Sequence, residues 1–206
     1  AAGGPHVLDV HNPRGQHNVA VGARWPAVIE VRGHVGYYAA AMNQAATVHV
    51  HGNAGKGLAE NIMSGSVHVF GDASDAVAAS GHGGLVVVRG NAASRCGISM
   101  KGVDIVVGGN IGHLGAFMAQ AGTLVVCGDA GAALGDSLYE AVIYVGGRIE
   151  SLGADAREEP MTDSERARVA AMITRAGLRG DVATFRRVAS ARQLYHWNSA
   201  DNRIHG

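Results

Sequence analysis

The hydrophobic positions of this chain recur with one fixed period. Between residues 29 and 147, one five-residue pattern occurs seven times. Its positions are aliphatic, variable, aliphatic, variable and glycine, in that order. The glycines keep a 19-residue period without a slip: Gly33, Gly52, Gly71, Gly90, Gly109, Gly128 and Gly147. A fixed period of roughly 20 to 50 residues is typical of stacked repeat architectures.

Two aliphatic columns precede the repeat glycine, one by four residues and one by two. The first column runs from Ile29 to Ile143, and the second is valine throughout, from Val31 to Val145. A spacing of two residues is the period of one face of a β-strand, so each repeat predicts a short strand. The chain must turn at the glycine, which predicts a positive φ there, and the Asn or Asp that usually follows tolerates left-handed dihedral angles.

The rest of each repeat favours a β-helix over a strand-and-helix repeat of the leucine-rich kind. Stretches such as residues 71–84 contain too much glycine for a stable helix. All four prolines lie outside residues 27–159, as expected if the backbone N–H groups there are needed for a ladder. The predicted fold is all-β: a right-handed parallel β-helix of about seven 19-residue coils.

Three regions follow from this pattern. Residues 1–27 are predicted to form a short irregular N-terminal cap over the first coil, and residues 28–154 are predicted to form the β-helix. Residues 155–206 are predicted to form a linker and a helical tail. Thr162 and Glu165 form a capping-box pattern that opens a helix running to about Ala176. A second, basic amphipathic helix is predicted from Val182 to Tyr195.

Composition narrows the classes of function. The formal net charge is zero, which gives no electrostatic indication of nucleic acid or of an acidic membrane surface. No apolar run approaches the length that would indicate a membrane span, and no signal pattern opens the sequence. Cys96 and Cys127 stand at different phases of the repeat, which favours free thiols and a cytoplasmic location.

Two motifs imitate binding sites. Residues 107–115 resemble a dinucleotide-binding fingerprint, but their glycines belong to the 19-residue register and no long helix can follow them. His49 and His68 share a column next to His51 and could approach a metal, but no carboxylate or thiol continues that column. We therefore predict no catalytic, cofactor-binding or metal residues in this chain.

One outward-facing column predicts a buried interface. It is polar in the first coils and becomes apolar from Val87 onward, so half of one face needs a cover. The cover could be the C-terminal helix of the chain or another subunit. The predicted partner interface combines this column with aromatic and arginine residues of the tail: Val87, Val106, Val125, Tyr144, Phe185, Arg187, Tyr195 and Trp197.

The repeated strand–Gly–Asn/Asp rhythm of residues 28–154 resembles the GXGXG β-helix family. That family includes the C-terminal domain of the glutamate synthase large subunit and one of the subunits of formylmethanofuran dehydrogenase, with its bacterial formyltransferase/hydrolase counterpart. The tail from Phe185 to Asn198, followed by Asp201 and Asn202, looks like that of stand-alone GXGXG proteins. The best-known set containing such a protein is N-methylglutamate synthase.

The resemblance implies a scaffold rather than a catalyst. It implies a hetero-oligomer with a class II amidotransferase-like subunit and an FMN-binding glutamate-synthase-like subunit. FMN, with an iron–sulfur cluster as a further option, would belong to those partners and not to this chain. Two alternatives remain open: a subunit of a formylmethanofuran dehydrogenase-like one-carbon complex, and a free-standing β-helix binding module.

We predict that the isolated chain binds neither FMN, NAD(P) nor stoichiometric zinc, because the fingerprint-like glycines belong to the solenoid. Calorimetric titration of the purified chain with each ligand checks this. Saturable nucleotide binding that is lost in Gly112→Asp would contradict it.

Overall fold

A computed structural model describes residues 6–192 and shows a β-solenoid of about seven turns. Its ten-stranded sheet has strands β1 to β8 in sequence order, followed by β10 and then β9. One α-helix, α1, and a short 3₁₀ turn at Val182–Thr184 complete the elements. The bounds are β1 His6–His11, β2 Ala27–Arg32, β3 Thr47–Val50, β4 Ser66–Val69, β5 Leu85–Val88, β6 Lys101–Val107, β7 Ala121–Val126, β8 Val142–Val145, β9 Ala156–Glu159, α1 Asp163–Arg175 and β10 Arg186–Ser190.

The strand register confirms the predicted parallel solenoid. Strands β2 to β8 pair in parallel and keep the 19-residue period, so that Val48 lies beside Val67, and Val67 beside Val86. A second ladder of single-residue parallel bridges connects the coils past the glycine corner. Its members are Val35, Ala54, Ala73, Ala92, Ile111, Ala130 and Ile149.

The core follows the aliphatic columns. All seven valines that stand two residues before the repeat glycine are 0% exposed. Full burial of a valine side chain contributes roughly 1.5–3 kcal/mol, so this column is a large part of the stabilisation of the solenoid. Small residues such as Ala59, Ala78 and Ala116 fill the other side of the interior, also at 0% exposure.

The repeat glycines are required for a different reason from the one predicted. Of the seven, only Gly33 has a positive φ, at 144°. In the later coils, a Cβ on the glycine would overlap the side-chain oxygen of the Asn or Asp one coil earlier, and it would also approach the backbone there. For Gly109 the obstacles are Asn91 Oδ1 and Gly90 O, the latter 2.9 Å away. The glycines therefore permit close approach between coils, and the predicted positive φ is wrong for the other six.

The Asn or Asp after each glycine connects one coil to the next. Its side-chain oxygen accepts a hydrogen bond from the backbone N–H of its counterpart in the following coil. None of these residues has positive φ, so the predicted left-handed role is wrong. The N–H to Oδ1 distances are 3.0 Å for Asp72 to Asn53, 2.7 Å for Asn91 to Asp72, 2.9 Å for Asn110 to Asn91, 2.8 Å for Asp129 to Asn110 and 2.7 Å for Arg148 to Asp129.

The left-handed residues lie on another side of each coil. From the coil of Gly33 to the coil of Gly128, the residues five, seven and nine places after the glycine have φ between 52° and 74°, and most of them are not glycine. They direct hydrogen bonds alternately up and down the stack: Ala59 N–H donates to Ala39 O and Asn61 N–H to Ala79 O, both at 2.8 Å. A left-handed non-glycine residue costs roughly 1–2 kcal/mol, which these inter-coil hydrogen bonds help to offset.

The N-terminal segment is more regular than predicted. Residues 6–11 form β1, which pairs in parallel with β2 over its whole length and places His6 beside Ala27, a longer step than the repeat period. The prediction of an irregular cap is therefore wrong for this stretch, because Leu8 and Val10 repeat the alternation of the later strands. The segment does lie on the first coil, as a further strand of the sheet.

The C-terminal region agrees with the prediction in one helix and not in the other. Helix α1 begins after Thr162, and both hydrogen bonds of the predicted capping box are present. The second predicted helix is wrong over its described part: after the 3₁₀ turn the chain forms β10, which pairs antiparallel with β8 and with β9. The predicted linker contributes β9. These two strands end the parallel stack.

We predict that Gly109→Ala destabilises the fold by about 1–3 kcal/mol, because the new Cβ overlaps Asn91 Oδ1. Asn91→Ala removes the bond to Asn110 N–H and costs about 1 kcal/mol. The double variant should lose less stability than the sum of the two single losses, because Asn91→Ala removes the Oδ1 atom that the new Cβ would overlap. Denaturant unfolding of the three variants measures their free energies of unfolding.

Gly15→Ala is the control for backbone strain alone, since Gly15 has φ 74° and a Cβ added there would have nothing within 4 Å. Strictly additive losses in the double variant would show that close approach to Asn91 is not the cause.

Candidate docking surface

The predicted interface column is covered by the chain itself. Val87, Val106 and Val125 are 0% exposed and Tyr144 is 2% exposed. They form a second hydrophobic cluster outside the solenoid, together with Leu85 of β5 and with residues of α1 and of the segment after it: Val169, Ile173, Ala176 and Phe185. The predicted docking role of this column is therefore wrong, because α1 occupies the surface that a partner subunit would need.

The segment that follows α1 covers the neighbouring column. It returns along residues 178–185 over the positions one place before the repeat glycine. A Cβ on Gly108 would lie 3.1 Å from Leu178 Cδ2, and a Cβ on Gly146 would lie 2.8 Å from Phe185 Cε2. The same column carries large side chains in the earlier coils, such as Phe70 and Arg89. The change to glycine thus marks the path of this segment and was a signal available in the sequence.

Polar contacts fix α1 on the sheet. Tyr144 Oη donates to Glu165 Oε1 at 3.2 Å, and Arg168 Nη2 donates to Thr123 Oγ1 at 2.7 Å. The backbone N–H of Thr162 is the main cause that lowers the pKa of the Glu165 carboxyl, while burial raises the pKa of the Tyr144 hydroxyl. Glu165 therefore remains a carboxylate that anchors the first turn of the helix.

Arg187 belongs to the same internal network. Its Nε lies 2.8 Å from Glu165 Oε1 without forming a hydrogen bond of good geometry, and its guanidinium also pairs with Glu159. The predicted contact of Arg187 with a partner stays a prediction; within the chain, its charge is balanced by these two carboxylates. Tyr195 and Trp197, the other two predicted interface residues, lie outside the described residues.

The histidine column forms a hydrogen-bonded surface patch with Glu30. Glu30 contacts His49 Nδ1 at 2.8 Å and His51 Nε2 at 2.5 Å. The His49 contact is the larger of the two effects that lower the pKa of Glu30. His68 lies against His49 with ring centroids 5.3 Å apart, and burial lowers its pKa. Within residues 6–192, no group of three or more His, Cys, Asp or Glu side chains could hold a metal ion.

The two thiols are poor nucleophiles. Cys96 is fully buried, and burial raises its pKa to about 12. Burial also raises the pKa of the half-buried Cys127. A thiolate is the reactive form of cysteine, so neither side chain is activated for covalent catalysis.

The dinucleotide-like glycines lie at a coil corner. Residues 113–118, which follow them, form a turn with left-handed angles at Leu114, Ala116 and Met118 rather than a helix. The phosphate-binding mechanism requires the N-terminus of a helix at this point. The geometry of this segment is that of the solenoid corner.

Exposed hydrophobic side chains are concentrated in the N-terminal segment and the first three coils. Of the ten large hydrophobic residues that are exposed among residues 6–192, only Met118 and Tyr139 lie in the later coils. Three of the others are Tyr37, Tyr38 and Met42. Tyr37 stacks on His17 with ring centroids 4.5 Å apart, and Tyr38 meets Tyr37 edge to face at 6.4 Å.

We call His17, Tyr37, Tyr38 and Met42 the tyrosine patch. A shallow cavity of about 170 Å³ adjoins it, lined by Tyr38, Met42, Glu60 and neighbouring residues. The patch was missed in the sequence, although two adjacent tyrosines stand at positions where no later coil has a tyrosine, phenylalanine or tryptophan. Exposed aromatic and methionine side chains are enriched at protein interfaces, so this patch is a candidate docking surface.

Comparison with known proteins gives one partial relationship. Protein GlxC of Rhizobium meliloti (strain 1021) is 57% identical over 39 residues, which is 19% of this chain and 17% of that protein. The match thus spans less than a fifth of the length of either chain. No protein-family model matches. Within residues 6–192, no helix is long and apolar enough to cross a membrane.

We predict that Val106→Glu lowers the free energy of unfolding of the isolated chain by about 3 kcal/mol or more, because an unpaired carboxylate would be buried under α1. Ile173→Asp should act in the same direction from the helix side. Met63→Glu, at a side chain that is 46% exposed, is the matched control and should stay within about 0.5 kcal/mol.

Denaturant unfolding measures all three chains. A Val106→Glu chain as stable as the control would mean that the helix does not cover this face.

Proposed function

We propose that this chain is a non-catalytic scaffold subunit of a glutamate-synthase-like complex. Within that class, we propose that it serves an N-methylglutamate synthase, which makes N-methylglutamate from glutamate and methylamine. Its partners would be a class II amidotransferase-like subunit and an FMN-binding subunit. The repeat resemblance supports this proposal, and the partial match to Protein GlxC suggests a subunit of such a complex.

The observation that carries the scaffold role is the uneven surface of the solenoid. The later coils have their apolar outward column covered by α1, whereas the first coils leave the tyrosine patch and other large hydrophobic side chains exposed. Monomeric proteins seldom leave contiguous apolar surface open unless it binds something. A scaffold subunit would use this end of the solenoid to hold larger catalytic chains.

The chemistry of the described residues agrees with that division of labour. Burial raises the pKa of both thiols, and the carboxylate of Glu30 is hydrogen-bonded to two histidines. Arg187 and Glu165 serve to anchor α1. Amide hydrolysis by a class II amidotransferase and electron transfer through FMN would be carried by the partner subunits, and this chain would supply their relative position.

We predict that Tyr37→Glu weakens co-purification with the proposed amidotransferase-like and FMN-binding partner subunits. The new charge would have to be desolvated in the interface, which should reduce affinity at least tenfold, or about 1.4 kcal/mol. Tyr139→Glu is the matched control, since both tyrosines are half exposed, at 51% and 43%.

Coexpression followed by pull-down and by assay of glutamate-dependent amine transfer measures both variants. Equal yield and turnover for the two variants would rule out the tyrosine patch as the docking surface. Failure of the unmodified chain to co-purify with either subunit would contradict the proposed function itself.

A further inference from the structure

The two edges of the ten-stranded sheet differ in chemistry. At one edge, β9 reads Ala-Arg-Glu-Glu, and Glu158 pairs with Arg186 at 3.1 Å while Arg157 pairs with Glu159 at 2.7 Å. At the other edge, β1 exposes Val7 at 61% and Leu8 at 45%. Charged residues on an edge strand oppose pairing with another chain, and an apolar edge strand favours it. The β1 edge has one carboxylate, Asp9, beside its exposed apolar side chains, so it carries less of this protection than the β9 edge.

The hydrogen-bonding direction of the coils leaves donors at the β1 edge. The outward residue before each repeat glycine donates its N–H to the preceding coil: His51 to Val31 O at 2.8 Å, and Phe70 to Val50 O at 2.9 Å. The counterpart of this position in β1 is His11, which pairs with Arg32. Asp9, two residues earlier, has the same orientation because strand geometry repeats every second residue. The backbone N–H groups of Asp9 and His11 therefore face the side on which the described residues form no further coil.

We propose that a second copy of this chain pairs with β1 in an antiparallel sense across a two-fold axis. A two-fold axis perpendicular to the sheet keeps inner faces with inner faces, so both the sheet and the hydrophobic interior would continue from one copy to the other. The charged β9 edge prevents the head-to-tail stacking that would give filaments. The expected assembly is therefore a closed dimer joined by the N-terminal ends of two solenoids.

The side chains of β1 select one register. With Val10 at the axis, Asp9 stands opposite His11 of the second copy, and the pair occurs twice on the outer face. The backbone N–H and C=O groups of Asp9 and His11 face the edge, so each Asp9–His11 pair also exchanges two backbone hydrogen bonds between the copies. A register centred on Asp9 would place two carboxylates side by side, which is unfavourable. Arg32 Nε lies 2.9 Å from Asp9 Oδ1 and holds this carboxylate on the outer face.

Sedimentation velocity of the full chain over a wide concentration range tests the dimer. The wild-type chain should self-associate, and Asp9→Lys or His11→Asp alone should weaken the dimer by about tenfold, because each removes the Asp9–His11 contact at both pairs and His11→Asp also places carboxylates opposite one another. A mixture of the two variants should restore association, because Lys meets Asp at one pair while the native His–Asp contact remains at the other. Thermal melting of each variant checks that it is folded.

A wild-type chain that stays monomeric at every concentration would overturn the proposal; the β1 edge would then be covered by the chain's own remaining residues or by another protein. A dimer that neither variant weakens would overturn it as well. These measurements use this chain alone, so their outcome is separate from that of the co-purification experiment.

Discussion

The close contact between successive coils at the glycine corner is the constraint on which the rest of this structure depends. A side-chain oxygen of one coil accepts the N–H of the next, and the glycine beside that N–H leaves room for the oxygen. The glycine and the Asn or Asp are needed together, because the oxygen that accepts the hydrogen bond would overlap any Cβ at the glycine position. Because this contact recurs with the period of the repeat, it aligns the valine column and the small residues of the opposite side without further specification.

The fixed alignment also decides which surfaces stay open. Coils that share a register present flat columns outward, and α1 can lie across several of them because their side chains are in line. The return of the chain over Gly108 and Gly146 depends on the absence of side chains there, down to the 2.8 Å approach that a Cβ on Gly146 would make to Phe185. The helix covers the later coils and leaves the earlier ones with exposed aromatic residues. The solenoid thus has one end that the chain itself covers and one end whose exposed aromatic side chains are available for contacts.

The sequence predicted the structure correctly where the signal was local or periodic. The 19-residue period predicted the parallel register, and the capping box at Thr162 predicted the start of α1. It was insufficient where partners distant in sequence decide the conformation. Residues 186–190 have apolar positions that suit a helix, but pairing with β8 and β9 made them a strand. Likewise, a repeat cannot reveal whether its apolar outward column is covered by the same chain or by another, and here α1 covers it.

The contact between coils also restricts how such a chain can change length during evolution. An inserted residue within one coil would move the backbone N–H of the next coil out of register with the oxygen that accepts its hydrogen bond, so growth or loss should occur in whole coils. The step between β1 and β2, from His6 to Ala27, is longer than the repeat period, and it lies where no described earlier coil must match it. Length variation among relatives of this protein should therefore be found before β2 or after β8, or else as multiples of a single coil.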